Sequence, residues 1–344
     1  MHSQRKRDHL KICLEEDVAF RSVRTGLEHL HLMHQALPEL ALEDIDLACC
    51  FLGRHLRAPL LISAMTGGTP SAEMVNRNLA IAAQATGVAM GVGSQRAALS
   101  GEDLIATYAV RDVAPDILLL ANLGAVQLNY EYGVDECRQA VEMIQADALI
   151  LHLNPLQECL QFGGNTNFRG LLRKIEAVCS KLSVPVIAKE VGWGLSAQTA
   201  RMLADAGISA LDIAGAGGTC WAEVEKLRIG EDSQRRVAES FSDWGIPTAD
   251  SIRWVRETVP HIPIIASGGI RTGVEVVKAL CLGAHVCGMA IPLLKPATIS
   301  DGQVVDRLEE ITLEMRIAML CSGARTLEQL DNSLLFPANR GGKE

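Results

Sequence analysis

Residues 262–273 read IPIIASGGIRTG, and this stretch contains the unit that specifies the whole fold. The apolar run IPIIA is typical of a buried β-strand, and it ends in Ser267 and a pair of glycines. Thr272 then provides an N-cap for TGVEVVKALCLG, which has the apolar spacing of a helix. A buried strand that leads through small residues into a helix is the building unit of parallel α/β folds.

The same strand-to-helix unit occurs eight times along the chain. The apolar runs are PLLISAM (59–65), GVAMGVG (87–93), ILLLANLG (117–124), ALILHLN (148–154), VPVIAKEVG (184–192), SALDIAG (209–215), IPIIASGG (262–269) and AHVCGMA (284–290). Helical segments lie between them, such as the one with Ser71 as N-cap and Gly87 as its end, and the one that begins at Ser196. Near-continuous apolar strands that alternate with helices predict a parallel sheet covered by helices on its outer face.

Eight such units in succession predict a TIM (β/α)₈ barrel. The alternative is an open doubly wound sheet, which normally has its nucleotide-binding glycine motif after the first strand. Here the motif GAGGT follows the sixth run and does not match that fingerprint. We therefore predict one barrel domain over residues 1–344. It has an N-terminal extension at 1–55, a barrel core at 59–322, and a frayed tail at 336–344.

Composition restricts the possible partners. The 344 residues carry a net charge of −9, so the chain lacks the basic surface that nucleic acids or anionic membranes require. The basic N-terminus MHSQRKRDHLK is not followed by an apolar signal region, and the sequence has no run long enough to span a membrane. The ten cysteines form no C-x-x-C pair, which indicates reduced core thiols. We expect a cytoplasmic protein that binds a small molecule.

The active site of a TIM barrel lies at the carboxyl ends of the strands, so the residues that end each run are the informative ones. Each of them alone is explained by a turn or a helix cap, but together they indicate a ligand site. They include Met65, Thr66, Ser94, Gln95, Arg96, Asn122, His152, Lys189, Thr219, Gly268, Gly269, Arg271, Met289 and Ala290.

The segment SGGIRTG predicts a phosphate site. Gly268 and Gly269 allow close approach of the backbone, Arg271 adds charge, and a helix N-terminus follows. Together with the GMA end of the eighth run, this is where TIM barrels usually bind phosphate. A plain strand-to-helix turn would explain the glycines but not their pairing with the eighth run.

Lys189 ends the fifth run next to Glu190. Side chains alternate along a strand, so these two neighbours point in opposite directions and cannot neutralise each other. A lysine near the barrel axis suits a delocalised anion or a phosphate, and pairing with another carboxylate of the barrel is the alternative.

The segment HLNPLQE ends the fourth run in polar residues. His152 and Asn154 share a strand face, and Pro155 is expected to send Gln157 and Glu158 into a loop. Glu158 is the candidate Mg²⁺ ligand, because Mg²⁺ needs only one or two carboxylates when phosphates and waters complete its shell. A buried, hydrogen-bonded core histidine remains an alternative for His152, and a surface position for Glu158.

Two further segments carry cations that suit an anion. Ser94, Gln95 and Arg96 follow a glycine-containing strand end, and arginine offers a planar fork that matches phosphate. Arg5 and Lys6 lie in RKRDHL, which on pattern alone is a solvated charge cluster.

Across nearly the whole chain these motifs resemble those of the type 2 isopentenyl-diphosphate isomerases. The matching segments, in order, are RKRDHL, SAMTGG, GSQRAAL, ANLGA, HLNPLQE, KEVGWG, GAGGTCWAEVE, WGIPT and SGGIRTG. The resemblance implies an FMN-binding TIM barrel that needs Mg²⁺ and NAD(P)H and interconverts isopentenyl and dimethylallyl diphosphate in isoprenoid biosynthesis. It also implies a homo-oligomer, a tetramer or octamer.

The resemblance assigns roles residue by residue. The implied FMN contacts are Ala64, Met65, Thr66, Ser94, Asn122, Lys189, Thr219, Gly268, Gly269, Arg271, Met289 and Ala290. The implied substrate contacts are Arg5, Lys6, Ser94, Gln95, Arg96 and Gln157, with Glu158 as the Mg²⁺ ligand. The implied catalytic residues are Gln157, His152 and Lys189, which orient the reactants while the reduced flavin exchanges the proton. One departure is Ala214, where the family often has serine.

Two other classes of protein remain as alternatives. The first class is an FMN-dependent oxidoreductase on the same barrel. A hydroxy-acid oxidase of this class needs a His base and an Arg clamp for a carboxylate late in the barrel, where this chain reads DIAGAGGT. A nucleotide dehydrogenase needs a nucleophilic cysteine loop, and Cys220 in GTCWAE does not lie in one. The second class is a non-catalytic protein that binds flavin or phosphate without turning over isopentenyl diphosphate.

Overall fold

The computed structural model describes residues 2–338, without the side chains of residues 2–4 and 102. Within this range eight parallel strands, numbered here β1 to β8, close into a barrel. Their bounds are Leu60–Ile62, Ala89–Gly91, Leu119–Gly124, Ala148–Leu153, Val186–Glu190, Ala210–Asp212, Ile264–Ala266 and Val286–Met289. The predicted fold class is confirmed. Every strand lies inside its predicted run and is the same length or shorter, because several runs end in loops at the barrel mouth.

Helices cover the outside of the barrel and its carboxyl end. In chain order, α1 to α13 are His2–Glu15, Pro70–Thr86, Arg96–Ser100, Val134–Glu142, Pro155–Leu160, Leu171–Lys181, Ala197–Asp205, Trp221–Arg228, Asp232–Glu239, Thr248–Thr258, Gly273–Cys281, Ile291–Ala297 and Asp301–Ser322. The long connection after β6 is therefore mostly helical, in α8, α9 and α10. Within residues 2–338, every helix is too short or too polar to traverse a lipid bilayer.

The helix caps agree with the sequence at three ends and differ at one. Ser196 and Thr272 cap α7 and α11, and Gly87 ends α2 with a φ of 72°. The prediction of Ser71 as the cap of α2 is wrong, because Thr69 holds that position and its hydroxyl accepts the Ala72 N–H at 3.2 Å. Proline at the first helical position favours this start, since its missing N–H needs no partner there.

Side chains alternate between the inside and the outside of the barrel along each strand, so the core has an inner part and an outer part. Leu120, Ile150, Ile187 and Ile265 point into the barrel and pack on one another. The intervening residues, such as Leu149, pack under the surrounding helices. The outward and inward faces are both apolar at mid-strand, which is why each run reads as continuously hydrophobic.

The N-terminal extension packs against the barrel at several places. Helix α1 contacts α8 and α12 at the carboxyl end. The antiparallel pair Cys49–Phe51 and Arg54–Leu56 places Phe51 and Leu56 in the cluster of barrel-interior residues. Helix α1 of this extension forms a roof over the carboxyl end of the barrel.

The C-terminal segment is more ordered than the sequence suggested. Leu335–Pro337 pairs antiparallel with Leu30–Leu32, and the Ala338 N–H donates to the His29 carbonyl at 2.8 Å. The prediction of a frayed tail from residue 336 is thus wrong as far as 338, because pairing with a distant segment was not readable locally. Residues 339–344 lie outside the described range.

The cysteines are all free thiols. Cys137, Cys220, Cys281 and Cys287 are buried, as the apolar surroundings in sequence suggested. Cys50 and Cys159 are exposed, which corrects the expectation of core positions for these two.

Candidate active site

The carboxyl end of the barrel opens into a cavity of about 300 Å³ that α1 covers from above. The cavity is lined by residues from the strand ends, from the loops that follow them and from α1. The sequence-predicted site residues on its wall are Arg5, Lys6, Ala64, Met65, Thr66, Ser94, Arg96, Asn122, His152, Gln157, Glu158, Lys189, Thr219, Gly268, Gly269, Arg271 and Ala290.

Two predicted residues, Gln95 and Met289, do not line the cavity. Gln95 is fully buried, and its amide bonds to the Ala140 carbonyl at 2.7 Å and the Asn122 N–H at 2.9 Å. The Met289 side chain belongs to the core cluster outside the barrel interior. The prediction of a substrate contact for Gln95 is therefore corrected to a contact with the scaffold. The Met289 side chain faces away because side chains alternate along β8, and its neighbours Gly288 and Ala290 line the cavity.

Lys189 forms an ion pair at the floor of the cavity. Its Nζ lies 2.8 Å from Oδ2 of Asp212, whose residue is 0% exposed, and Ser267 donates to Oδ1 of the same carboxylate at 2.5 Å. Lys189 and Asp212 are register neighbours on β5 and β6, so both side chains point to the same interior level. The ion pair places the Lys189 ammonium group beside the cavity, with its charge balanced by Asp212.

His152 lies next to Lys189 in the barrel register. Its Nδ1 is 2.8 Å from Oδ1 of Asn122. Burial, followed by the charges of Lys189, Lys6 and Arg5, lowers the pKa of His152 to about 4. The imidazole is therefore neutral at physiological pH and cannot act as a cation toward an anion.

Gln157 and Glu158 lie on the short helix α5, not in the loop that the sequence suggested. Pro155 begins this helix, because proline is favoured in the first turn. Asn154 Nδ2 donates to Gln157 Oε1 and Glu158 Oε1, each at 3.1 Å. Glu158 Oε2 accepts from Gln161 Nε2 and the Asn165 N–H, both at 2.5 Å. The buried carboxylate is thus held in one orientation.

A second buried carboxylate, Glu225 on α8, joins α1 to α5. His9 Nε2 lies 2.9 Å from Glu225 Oε1, and Gln157 Nε2 donates to the same oxygen at 3.3 Å. Arg228 donates to Oε2 at 2.6 Å. Although burial opposes it, contact with His9 and Arg228 holds the pKa of Glu225 below its usual value. The carboxylate stays charged and holds its three partners, His9, Gln157 and Arg228, in place.

The roof helix brings two cations to the site. Lys6 Nζ donates to the Ser94 carbonyl at 2.8 Å and contacts the Tyr108 hydroxyl, and it lies 4.9 Å from the centre of the Tyr108 ring. Burial, together with the charge of Arg5, lowers the pKa of Lys6 to about 7. Arg5 donates to Oε1 of Gln161 at 3.1 Å, and Gln161 in turn donates to Glu158.

Glycines of two loops pack so closely that side chains are excluded. A Cβ on Gly268, at φ 100°, would lie 2.0 Å from the Gly215 carbonyl oxygen, and one on Gly269 would lie 2.6 Å from the Gly217 oxygen. A Cβ on Gly288 would lie 2.6 Å from Ser63 Oγ. This glycine cradle leaves bare backbone at the ends of β7 and β8, where a phosphate can approach.

Glu190 points away from Lys189, as alternation predicted. Its Oε2 accepts the backbone N–H groups of Val191, Gly192 and Trp193 at 2.7, 2.7 and 2.5 Å. Burial raises the pKa of Glu190 to about 7, against the opposing effect of these bonds. It shapes the KEVGWG loop from beneath and does not line the cavity.

Several residues of the site were not identified from the sequence. They are Asp212, Glu225, His9, Gln161, Trp221 and Ser63. A charged residue within the apolar run SALDIAG was the available signal for Asp212. Glu225 and His9 gave none, because their contact joins segments far apart in sequence.

A closed parallel barrel with its polar side chains gathered at the carboxyl ends of the strands has the architecture of the TIM-barrel enzymes. A family model described as FMN-dependent dehydrogenase matches residues 157–337. A flavocytochrome b2 variant with sulfite bound is similar in fold, with a TM-score of 0.70 and 18% identity over 95% of this chain and 82% of that one. At that identity the likeness supports the fold alone.

Two curated relatives are much more similar. The isopentenyl-diphosphate delta-isomerase of Nostoc sp. is 54% identical over 96% of this chain and 94% of its own. That of Stutzerimonas stutzeri is 53% identical over 96% of each chain. The chain therefore belongs to the type 2 isopentenyl-diphosphate delta-isomerase family, and it is an isomerase.

Proposed function

We propose that this enzyme interconverts isopentenyl diphosphate and dimethylallyl diphosphate, with FMN bound at the barrel mouth and Mg²⁺ held by Glu158. The observation that carries the proposal is the composition of one cavity. Arg5, Lys6 and Arg96 supply cations, and the polar residues of HLNPLQE lie on the same wall. Such a site suits an anionic headgroup and a metal ion together.

The residues present fit FMN. The glycine cradle offers backbone N–H groups for its phosphate. Arg271 also lines the cavity, and its guanidinium donates to the Gly269 carbonyl at 3.0 Å. Ser63 Oγ and Asn154 Oδ1 are buried without a hydrogen-bond partner among the described residues. The Ser63 hydroxyl can donate to a ligand or accept from it, and the Asn154 amide oxygen can accept from it. Ala214 presents a methyl group where a serine would offer a hydroxyl.

The remaining proposed FMN contacts are arranged around the barrel axis. They are Ala64, Met65, Thr66, Ser94, Asn122, Lys189, Thr219, Gly268, Gly269, Met289 through its backbone, and Ala290. Lys189 lies at the floor, where its charge would stabilise a negative ring system. When bound and reduced by NAD(P)H, FMN supplies a ring that can exchange a proton with the substrate.

The residues present also fit Mg²⁺, though not as a complete protein cage. Residues 5–338, leaving aside the side chain of residue 102, contain no group of three His, Cys, Asp or Glu side chains able to hold a metal ion. Glu158 offers one buried carboxylate beside Asn154 and Gln157. A cation that takes its other ligands from diphosphate and water needs no more.

The chemistry is a shift of one double bond. A proton must reach the terminal carbon, and another must leave the carbon two positions away, with positive charge developing at the tertiary centre. His152 is neutral with a pKa of about 4, so it orients ligands and does not donate this proton at neutral pH. Gln157 is held by Glu225 and orients the substrate in the same way.

The direct test is an anaerobic assay of the purified protein. We expect a yellow protein that converts isopentenyl diphosphate only when flavin, reductant and Mg²⁺ are all present. A yellow protein that oxidises a 2-hydroxy acid and leaves isopentenyl diphosphate unchanged would instead support the oxidoreductase alternative. A yellow protein that turns over neither would support the binding-protein alternative.

Glu158→Gln is expected to weaken the use of Mg²⁺ by on the order of 100-fold. The amide keeps the size of the side chain and removes the charge that a hard cation needs. The measurement is the Mg²⁺ concentration that gives half-maximal turnover. Glu257→Gln, at an exposed position on α10, is the matched control. An unchanged Mg²⁺ requirement in Glu158→Gln would remove this residue from the metal site.

Binding of the diphosphate is expected to take up a proton at pH 8. Free Lys6, with a pKa of about 7, is mostly neutral there, and a neighbouring anion favours its charged form. Affinity should accordingly fall as pH rises through the window above 7. Calorimetry in two buffers of different ionisation heat measures the uptake, about one proton.

Lys6→Met should abolish this proton uptake. Lys11→Met, on the same helix with a side chain 71% exposed, should retain it. Equal uptake in both variants would assign the proton to another group.

We also propose a cytoplasmic enzyme that assembles as a homotetramer or octamer. Light scattering on the purified protein measures the assembly directly. A monomer at micromolar concentration would contradict it.

A further inference from the structure

Gln95 was expected to bind substrate, but it is bonded to Asn122 through both backbone and side chain. Its N–H donates to the Asn122 carbonyl and its Oε1 accepts the Asn122 N–H, each at 2.9 Å. Its Nε2 donates to the Ala140 carbonyl at 2.7 Å. An N–H can only donate and a carbonyl can only accept, so the amide has one orientation. Gln95, which does not line the cavity, therefore holds Asn122 in place at the end of β3.

The side chain of Asn122 is oriented by the same reasoning. Its Nδ2 donates to the Val92 carbonyl at 3.1 Å, so its Oδ1 is the atom that faces His152. Oδ1 lies 2.8 Å from His152 Nδ1, and an amide oxygen can only accept. The hydrogen in this bond must then be carried by Nδ1.

The other ring nitrogen, Nε2, lies beside Gly124, and both residues line the cavity. A Cβ at Gly124 would lie 3.1 Å from His152 Nε2. The absence of a side chain at Gly124 therefore leaves space for the imidazole ring of His152 at the end of β3. The charged groups that act on the ring are Lys189, Lys6 and Arg5, all cationic. They and the surrounding burial hold the imidazole neutral, so a single proton is available for its two nitrogens.

We propose that Asn122 and Gln95 are positioning residues that fix His152 as the Nδ1–H tautomer, so that Nε2 presents a lone pair to the ligand. This inference deepens the proposed function and rests on it only for the identity of the ligand. The group that meets Nε2 is a hydrogen-bond donor or a metal ion, and not an anionic phosphate oxygen. The phosphate charge is left to Arg5, Lys6 and Arg96.

The protein contains its own reference for the opposite tautomer. His285 Nδ1 accepts the Ile264 N–H at 3.0 Å, so its proton must lie on Nε2. Burial and then the charge of Arg256 lower the pKa of His285 to about 4 as well. Two neutral histidines of opposite tautomer are therefore expected in one spectrum.

The test is ¹⁵N NMR of the full-length enzyme as isolated, labelled at histidine, with no substrate added. His152→Gln, or His152→Asn if the first does not fold, assigns its resonances by their loss. At pH 7 we expect a protonated Nδ1 and a bare Nε2 for His152, with the reverse for His285. A proton on Nε2 of His152, or a doubly protonated ring at pH 7, would overturn the proposal.

A charge change at Asn122 tests the contact itself. Asn122→Asp places a carboxylate beside Nδ1, so the titration of His152 should move up by about two pH units or more. Asn78→Asp, whose amide bonds to the Ala297 carbonyl, changes the charge equally and should leave that titration in place. An Asn122→Asp enzyme with an unmoved His152 titration would refute the positioning role.

These measurements are independent of turnover. A wrong tautomer would leave the proposed isomerase activity untouched. An inactive enzyme with the expected tautomer would contradict the activity and not this inference.

Discussion

Replacing Lys189 with methionine is expected to lower the free energy of unfolding by about 3–5 kcal/mol. The substitution leaves the Asp212 carboxylate, in a residue that is 0% exposed, with only the Ser267 hydroxyl as its partner. A buried charge that has lost its counter-ion keeps its desolvation penalty without the compensating attraction. Denaturant unfolding of Lys189→Met against the wild type measures the loss.

The double variant Lys189→Met, Asp212→Asn separates stability from function. It removes both charges, so most of the lost stability should return, while the isomerase activity should stay absent because the cation beside the ligand is gone. Lys181→Met, at an exposed position in α6, is the control for loss of a lysine. A single variant as stable as the wild type would mean that the ion pair is not a buried structural contact.

Gly268→Ala is expected to destabilise the protein by about 3 kcal/mol and to weaken FMN binding on the order of 100-fold. The new Cβ would lie 2.0 Å from the Gly215 carbonyl oxygen, and the φ of 100° is itself costly for alanine. Because the obstructing atom belongs to backbone, the cradle must open to accept it. Denaturant unfolding and the quenching of flavin fluorescence measure the two effects.

Gly170→Ala isolates the cost of backbone strain from that of crowding. Gly170 also has a positive φ, of 64°, but a Cβ there would meet nothing within 4 Å. Its substitution should cost about 1 kcal/mol and leave FMN binding unchanged. If both alanine variants bound FMN equally well, the cradle would not be the phosphate site.

The barrel and most of its rim could be read from sequence because both depend on local patterns. Each apolar run predicted a strand, and the polar residue that ended it was expected at the carboxyl end, as Lys189 and His152 are. The errors in the predicted site arose where the chain leaves a strand and its side chains no longer alternate between two faces. Gln95 follows β2 through a loop, and its face could not be counted from the strand.

Contacts between distant segments were beyond local reasoning. The pattern of RKRDHL read as a solvated cluster, and only the family resemblance assigned Arg5 and Lys6 to the substrate. The bond from His9 to Glu225 joins α1 to α8, and no spacing within either helix indicates it. The same holds for the pairing of Leu335–Pro337 with Leu30–Leu32.

Helix α1, the roof of the cavity, has a consequence for synthesis on the ribosome. It is translated before the barrel strands, yet the helices that it contacts, α8 and α12, emerge only after most of the barrel has been made. The nascent chain must therefore carry Arg5 and Lys6 without their final neighbours until late in translation.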